Sequence, residues 1–381
     1  MKTCYYYQTF VGLEKILNDP ECTDVIIISS IHFDKDEKTG KTNIYLNDNT
    51  PDNKIFDNLW EETKKASDKG ITITIMVVGA GGAYGPFFND YQNCYSQLIN
   101  LIKSKPWIKG IDLDIEETVK LSDVQKLIQN INTDLSNNFI ITMAPVGSSL
   151  INDDPGMGSF SYKKLYNTHG RYIHWFNTQC YNDSFSFDTF NSIVKNGYPP
   201  NKIVMGMMSG DFNNTTFKNA LNEVHKIKTK YPMFKGVFDW EYLDAPPVKN
   251  DPSQWAKKFK SLEPSLELIP INKENALNTL KIYAKINGIS PRRFKDIYID
   301  IITDGYKFVN ITKEQRQLLL VELRLSMQDM YPVNTSKLNG SANKCYDETD
   351  KLIDTLLCSP RRSSSMEDLF SHWQIIDKEN K

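Results

Sequence analysis

From the first residue to about residue 262, short apolar runs rich in β-branched and aromatic residues alternate with longer amphipathic stretches. Eight runs have the length and composition of strands: "CYYYQTF", "DVIIISSIHF", "ITITIMVVGAGG", "IKGIDLDIE", "FIITMAPVG", "WFNTQCYN", "KIVMGMMSG" and "KGVFDWEY". Between most of them lie helix-like stretches such as "NLWEETKKASDKG", "YQNCYSQLINLIKS", "SDVQKLIQNINTDLS", "FDTFNSIVKNG" and "FKNALNEVHKIKTKY". Several open on Ser or Asp and close near Gly or Pro, as helices do. Eight βα repeats in about 250 residues predict an α/β fold of the (β/α)8 TIM-barrel type, with its active site where the strands end. A doubly wound sheet is the alternative, and it needs fewer strands.

After "KKFKSLEPSLELIP" the alternation stops, and segments such as "NALNTLKIYAKING" and "TKEQRQLLLVELRLSMQDMY" read as helical. The expected organisation is a barrel over 1–264, a smaller, mostly helical C-terminal region over 265–358, and a flexible tail over 359–381 containing "PRRSSSMEDLF". The helical half shows no catalytic constellation. A protein partner, if the chain has one, falls to that region.

The net charge of -2, with basic residues thinly spread, offers no broad cationic face to nucleic acid or to an anionic membrane. A neutral substrate fits better. The start, "MKTCYYYQTF", has no apolar signal region, and no run of about 18 apolar residues occurs. The expectation is a cytoplasmic protein, or one released without a standard signal peptide. The six cysteines form no CxxC pair and the five histidines are isolated, so no metal site and no cofactor are expected, and the thiols read as free.

One strand breaks the apolar pattern. In "KGIDLDIEET", alternation sends Gly110, Asp112, Asp114 and Glu116 to one face and Lys109, Ile111, Leu113 and Ile115 to the other. In a barrel the apolar face packs under helices, so the acids point at the axis, where carboxylates are costly unless hydrogen-bonded or used. A solvated edge strand or an incidental cation site would give the same pattern without catalysis. Asp114 and Glu116 are two apart, which sets their Cβ atoms about 6–7 Å from each other. Carboxylates that close drive their pKa values apart, so that one keeps a proton near neutrality. That suits a glycosidase, which must protonate a leaving oxygen.

"KGIDLDIEE" resembles the DxxDxDxE signature of glycoside hydrolase family 18, the chitinases and endo-β-N-acetylglucosaminidases. Three more segments agree in order: "TMAPVG" is similar to the family's fifth-strand segment, "TQCYN" to the QxYN form of its sixth-strand motif, and "GVFDWEY" to its final strand. The resemblance spans residues 1–262 and is nearest the plant type III and bacterial D-type chitinases. It implies a retaining, substrate-assisted hydrolase of β-1,4 linkages next to N-acetylglucosamine, acting on chitin or chitooligosaccharides. Alternatives are an endo-β-N-acetylglucosaminidase working on N-glycan cores and a chitin-binding lectin that does not cut.

By that resemblance Glu116 is the acid and then the base. Asp114 orients the 2-acetamido group, Asp112 holds Asp114 by hydrogen bond or shared proton, and Tyr181 donates to the acetamido oxygen. Trp240 floors the sugar, with Gln179, Asn182 and Met143 lining it. "GAGGAYG" lacks the ending and spacing of a nucleotide loop, so Gly82 is expected in a turn beside the sugar. Tyr6 is placed near the subsite by analogy. Two positions depart from the common pattern. Lys109 replaces the signature's first acid, at a position of outward parity, and Asn182 stands where many chitinases carry Asp.

Overall fold

The computed structural model describes residues 1–262 apart from Lys38, Asn137, Pro232 and Lys249. The helical region and tail expected from residue 265 onward lie outside the described residues. Nine strands form in chain order: β1 (Lys2–Tyr7), β2 (Val25–Lys35), β3 (Thr42–Leu46), β4 (Thr72–Val78), β5 (Ile108–Asp114), β6 (Ile140–Met143), β7 (Trp175–Gln179), β8 (Ile203–Met208) and β9 (Gly236–Trp240). Eight of them are parallel neighbours in the order β1-β9-β8-β7-β6-β5-β4-β2, and β1 also pairs with β2, which closes the ring. The barrel expected from eight apolar runs is therefore the fold, and an open doubly wound sheet is excluded by the closure.

The ninth strand is a difference from the sequence reading. β2 continues past the barrel, and its extension from Ile31 to Lys35 pairs antiparallel with β3. β3 is half-buried and set among polar residues, so no continuous apolar run announces it. The five long helix-like stretches are helices at Asp57–Asp68, Tyr91–Ser104, Leu121–Asp134, Phe187–Lys195 and Asn214–Lys230. The shorter helices Tyr84–Asn89, Gly147–Ile151, Tyr162–His169 and Ser253–Lys260 were not evident from periodicity, which needs more than two turns to register. Among the described residues no helix is long and apolar enough to cross a membrane. Cys4, Cys22, Cys94 and Cys180 are free.

Strand alternation divides the core into two layers. Outward residues such as Ile26, Ile28, Ile73, Ile75, Ile111 and Leu113 pack with helix residues such as Leu98, Ile102, Leu127 and Ile131. Inward residues form a second cluster from Cys4, Tyr6, Val25, Ile27, Met76, Trp175, Val204 and Phe238. Large inward rings need small neighbours. Gly206 stands beside Phe238 in the β8–β9 register, and a Cβ on Gly206 would lie 1.9 Å from the Phe238 ring. Gly110 does the same on β5, where a Cβ would come within 2.7 Å of the Ile140 Cβ. Inside a closed ring neither neighbour has anywhere to retreat. Gly206→Ala is therefore expected to destabilise the barrel by about 1–3 kcal/mol, read as a lower urea midpoint; an unchanged midpoint would show that the interior has slack.

Candidate active site

The acids of β5 form a ladder from the barrel interior to its mouth. Asp112 is fully buried and is ringed by donors from three other strands. Tyr6 Oη on β1 donates to it at 2.6 Å, Thr142 Oγ1 on β6 at 2.5 Å, and Asn177 Nδ2 on β7 at 3.0 Å. Trp175 Nε1 donates to Asn177 Oδ1 at 2.8 Å, which fixes the amide with its NH2 toward the acid. Burial raises the Asp112 carboxyl above its ordinary pKa, while these three hydrogen bonds pull it down.

One step outward, Asp114 is also buried but much less well served. Gln179 Nε2 donates to it at 3.2 Å. Burial pushes its carboxyl well above the usual carboxylate range, and the charges of Glu116 and Asp112 and a hydrogen bond with Glu116 push it further. Glu116, two residues past the end of β5, is only half-buried. The same Gln179 Nε2 reaches Glu116 Oε1 at 3.1 Å and the Ala144 carbonyl at 3.0 Å, so one amide ties the two outer acids to the β6 end. Burial and two acidic neighbours together favour a proton on the middle carboxyl.

Tyr181 and Trp240 complete the mouth. The Tyr181 hydroxyl is raised well above its usual pKa by burial and by Asp114 and Glu116, so it stays protonated, a donor with no hydrogen bond to any described residue. Trp240 packs 5.2 Å from the Tyr6 ring, which stands on Asp112. The first-strand tyrosine thus braces the deepest acid and packs against the tryptophan, and it is 2% exposed.

Three of the expected sugar-lining residues lie in different surroundings. Met143 pairs with Leu113 across β5–β6 and lies fully buried in the outer layer, while its neighbour Thr142 faces inward. Gly82 is exposed, with nothing within 4 Å of where a Cβ would sit. The glycine that matters is Gly79: its φ is 96°, and a Cβ there would lie 2.7 Å from Met76 Cε and 3.3 Å from Asp114 Oδ2. Asn182, exposed with φ 54°, hydrogen-bonds through its backbone N–H to Asp211 at 3.2 Å, not to the acids. Lys109 sits on the outer face as its parity required, exposed and donating to the Pro106 carbonyl at 2.5 Å.

Other residues entered the site unannounced. Glu117 accepts from the backbone N–H groups of Tyr84 and Gly85, pinning the glycine-rich loop after β4 to the end of β5. Val78, just before that loop, has φ 74°, a costly conformation for a β-branched residue that turns the chain beneath Asp114. Thr142, Trp175 and Asn177 share the inward parity of Asp112, Gln179 and Tyr181, and period-two counting alone would have found them. Among the described residues no group of three or more His, Cys, Asp or Glu is arranged to hold a metal ion.

A parallel barrel with stacked carboxyls at the C-terminal ends of its strands, one pushed up by burial beside one half-exposed, is suited to proton transfer at a leaving oxygen. No family model matches the chain. It is 27% identical over 207 residues to chitinase 2 of Rhizopus oligosporus, a match that takes in 48% of this chain and only 36% of that protein's length. Two solved structures are similar over nearly their whole length. A fungal endo-β-N-acetylglucosaminidase of glycosyl hydrolase family 18 matches with a TM-score of 0.62 and 27% identity, covering 70% of this chain and 99% of that one. Chitinase ChiC of Aspergillus fumigatus matches with a TM-score of 0.59 and 26% identity, covering 68% and 98%. The chain is thus similar in sequence and in fold to an endo-β-N-acetylglucosaminidase of glycosyl hydrolase family 18 and to chitinases.

The raised Asp114 carboxyl makes a stability prediction with a definite sign. A folded-state pKa above the unfolded value, about 3.9 for Asp, means stability is fully present below that value and declines as pH rises toward the folded pKa. Asp114→Asn removes this decline. Its stability relative to wild type, measured by urea unfolding, is expected to improve steadily from about pH 4 to pH 7. A relative stability that falls over this range would contradict the raised pKa.

Proposed function

We propose that the barrel is a retaining hydrolase of the β-1,4 bond between N-acetylglucosamine units, working by substrate-assisted catalysis. The carrying observation is the placement of Asp114, buried between Asp112 and Glu116 and hydrogen-bonded with Glu116. A covalent mechanism needs a nucleophilic carboxylate across the sugar from the acid. Here the acids are stacked on one strand, and the middle one favours its protonated form. That makes Asp114 a poor nucleophile and a good hydrogen-bonding partner for an amide.

In this reading Glu116 gives its proton to the glycosidic oxygen as the bond to the anomeric carbon breaks. The substrate's own acetamido oxygen forms the new bond to that carbon, giving a cationic oxazoline. Tyr181 donates to that oxygen, and the carbonyl oxygen of the Asp114 carboxyl accepts from the acetamido N–H and orients it. Water then attacks the anomeric carbon from the vacated side and gives its proton to Glu116, the oxazoline opens, and the configuration is retained. Trp240 covers the apolar side of the sugar. The QxYN form of "TQCYN" aligns the site with plant type III and bacterial D-type chitinases. The likeness to a fungal endo-β-N-acetylglucosaminidase favours a second substrate, the chitobiose core of N-glycans. Both substrates contain the same bond.

Glu116→Gln keeps size and hydrogen bonding but removes the transferable proton, so turnover is expected to fall about 10²-fold or more while sugar binding persists. A thiazoline mimic of the oxazoline should inhibit, and deacetylated chitosan should not be cut. Full activity in Glu116→Gln marks a different acid, and efficient chitosan cleavage removes the acetamido group from the mechanism. Mass analysis of products from chitin oligomers and from a high-mannose glycopeptide separates the two substrates; binding without cleavage of either would instead make the barrel a lectin.

A further inference from the structure

A second feature on the catalytic face lies beside the acids and has no part in the chemistry above. It is an open depression of about 830 Å³ between the loop after β5 and the loop after β6. That volume is in the range of small-ligand sites, roughly 300–1,000 Å³. Both loops follow the C-terminal ends of their strands, so the depression opens on the same end of the barrel as Glu116. Lys120 on its rim is four residues beyond Glu116, within about 14 Å along even an extended chain. Thr118 and Ser159 join the two loops at 2.8 Å through their hydroxyls, and the Val119 N–H donates to the Gly158 carbonyl at 3.1 Å.

The lining is cationic although the chain as a whole carries net charge -2. Lys120, Lys163 and Lys164 line the depression, against a single carboxylate, Asp153. Asp153 is already engaged by Asn196 Nδ2 at 2.8 Å. Lys163 is held in the wall, donating to the Asn196 carbonyl and lying 4.7 Å from the Tyr198 ring centre. Lys120 and Lys164 are exposed, and neither forms an ion pair with a described residue. Phe160 adds an apolar wall and Ser159 a hydroxyl at the same rim. Two uncommitted ammonium groups and an apolar surface around one depression match an acidic sugar better than a neutral one.

We propose that this depression is a remote subsite for a sugar bearing a sulfate or phosphate ester, so that the preferred substrate is an anionic, N-acetylglucosamine-containing glycan. The proposal rests on the hydrolase reading for the identity of the glycan, and it revises the expectation of a neutral substrate. Lys120 and Lys164 determine specificity here and take no part in bond breaking. Because both side chains are exposed, replacing them costs little stability.

The test is calorimetric binding to the full chain carrying Glu116→Gln, which prevents turnover, with matched N-acetylglucosamine oligomers that are unsubstituted, 6-O-sulfated or 6-O-phosphorylated. At low salt at least one ester is expected to bind about tenfold tighter than the neutral oligomer, an advantage that shrinks as salt screens the charges. The ester that gains more identifies the source. Adding Lys120→Gln and Lys164→Gln together should abolish the advantage and leave neutral binding unchanged, with thermal unfolding as a check on folding. Equal binding of all three oligomers overturns this inference and leaves the hydrolase reading standing. Equal losses for neutral and charged oligomers in the double lysine variant overturn it as well. If none of the oligomers binds, both readings fall.

Discussion

A carboxylate on the axis of a closed barrel has no water to solvate it, and the protein must supply every partner it has. Asp112 receives three hydrogen bonds, from β1, β6 and β7. Bonds to charged groups are worth about 1.5–3 kcal/mol each, against a burial cost of several kcal/mol for an ion. The two are of similar size, and burial still leaves the acid raised above its ordinary range. The strands that carry Tyr6, Thr142 and Asn177 are thereby committed in register to β5. The deep end of the site is a feature of the barrel itself rather than of its loops.

That commitment creates the gradient above it. With the donors used at Asp112, Asp114 has Gln179 and its acidic neighbours, and burial beside those charges pushes its carboxyl well above the usual carboxylate range. Gln179 touches both outer acids and the β6 end, so a shift of any one of them moves the others. The strained Val78 and the close approach of Gly79 to Asp114 belong to the same economy: the chain after β4 adopts an unfavourable turn because the acid occupies the space beside it.

Much of this was legible before any coordinates, because a barrel strand writes its two faces in alternate letters. The eight apolar runs, the long helices and the inward set Asp112, Asp114 and Glu116 follow from period two and period 3.6 alone. Met143 belongs to a matching segment, and its pairing with Leu113 turns it to the outer layer. Gly82 illustrates a different limit. A loop with several glycines does not say which one an acid approaches, and only the fold brings Gly79 to Asp114. β3 was hidden because its partner is the overhang of β2 and its short inward set of Thr42, Ile44 and Leu46 is set among polar residues. The hydrogen bond of Tyr6 to Asp112 was not legible, since a sequence carries the direction of a side chain but not the depth at which it ends.

The central claim is that Asp114 keeps a proton far outside the ordinary carboxylate range. Infrared difference spectroscopy of the wild type against Asp114→Asn reads this directly through the carbonyl stretch of a protonated carboxyl. The expected result is a wild-type band that persists at about pH 6, well above the ordinary aspartate value of about 3.9, and is missing from the variant. A band that disappears together with the exposed carboxylates, below about pH 5, would contradict the buried proton and the mechanism built on it.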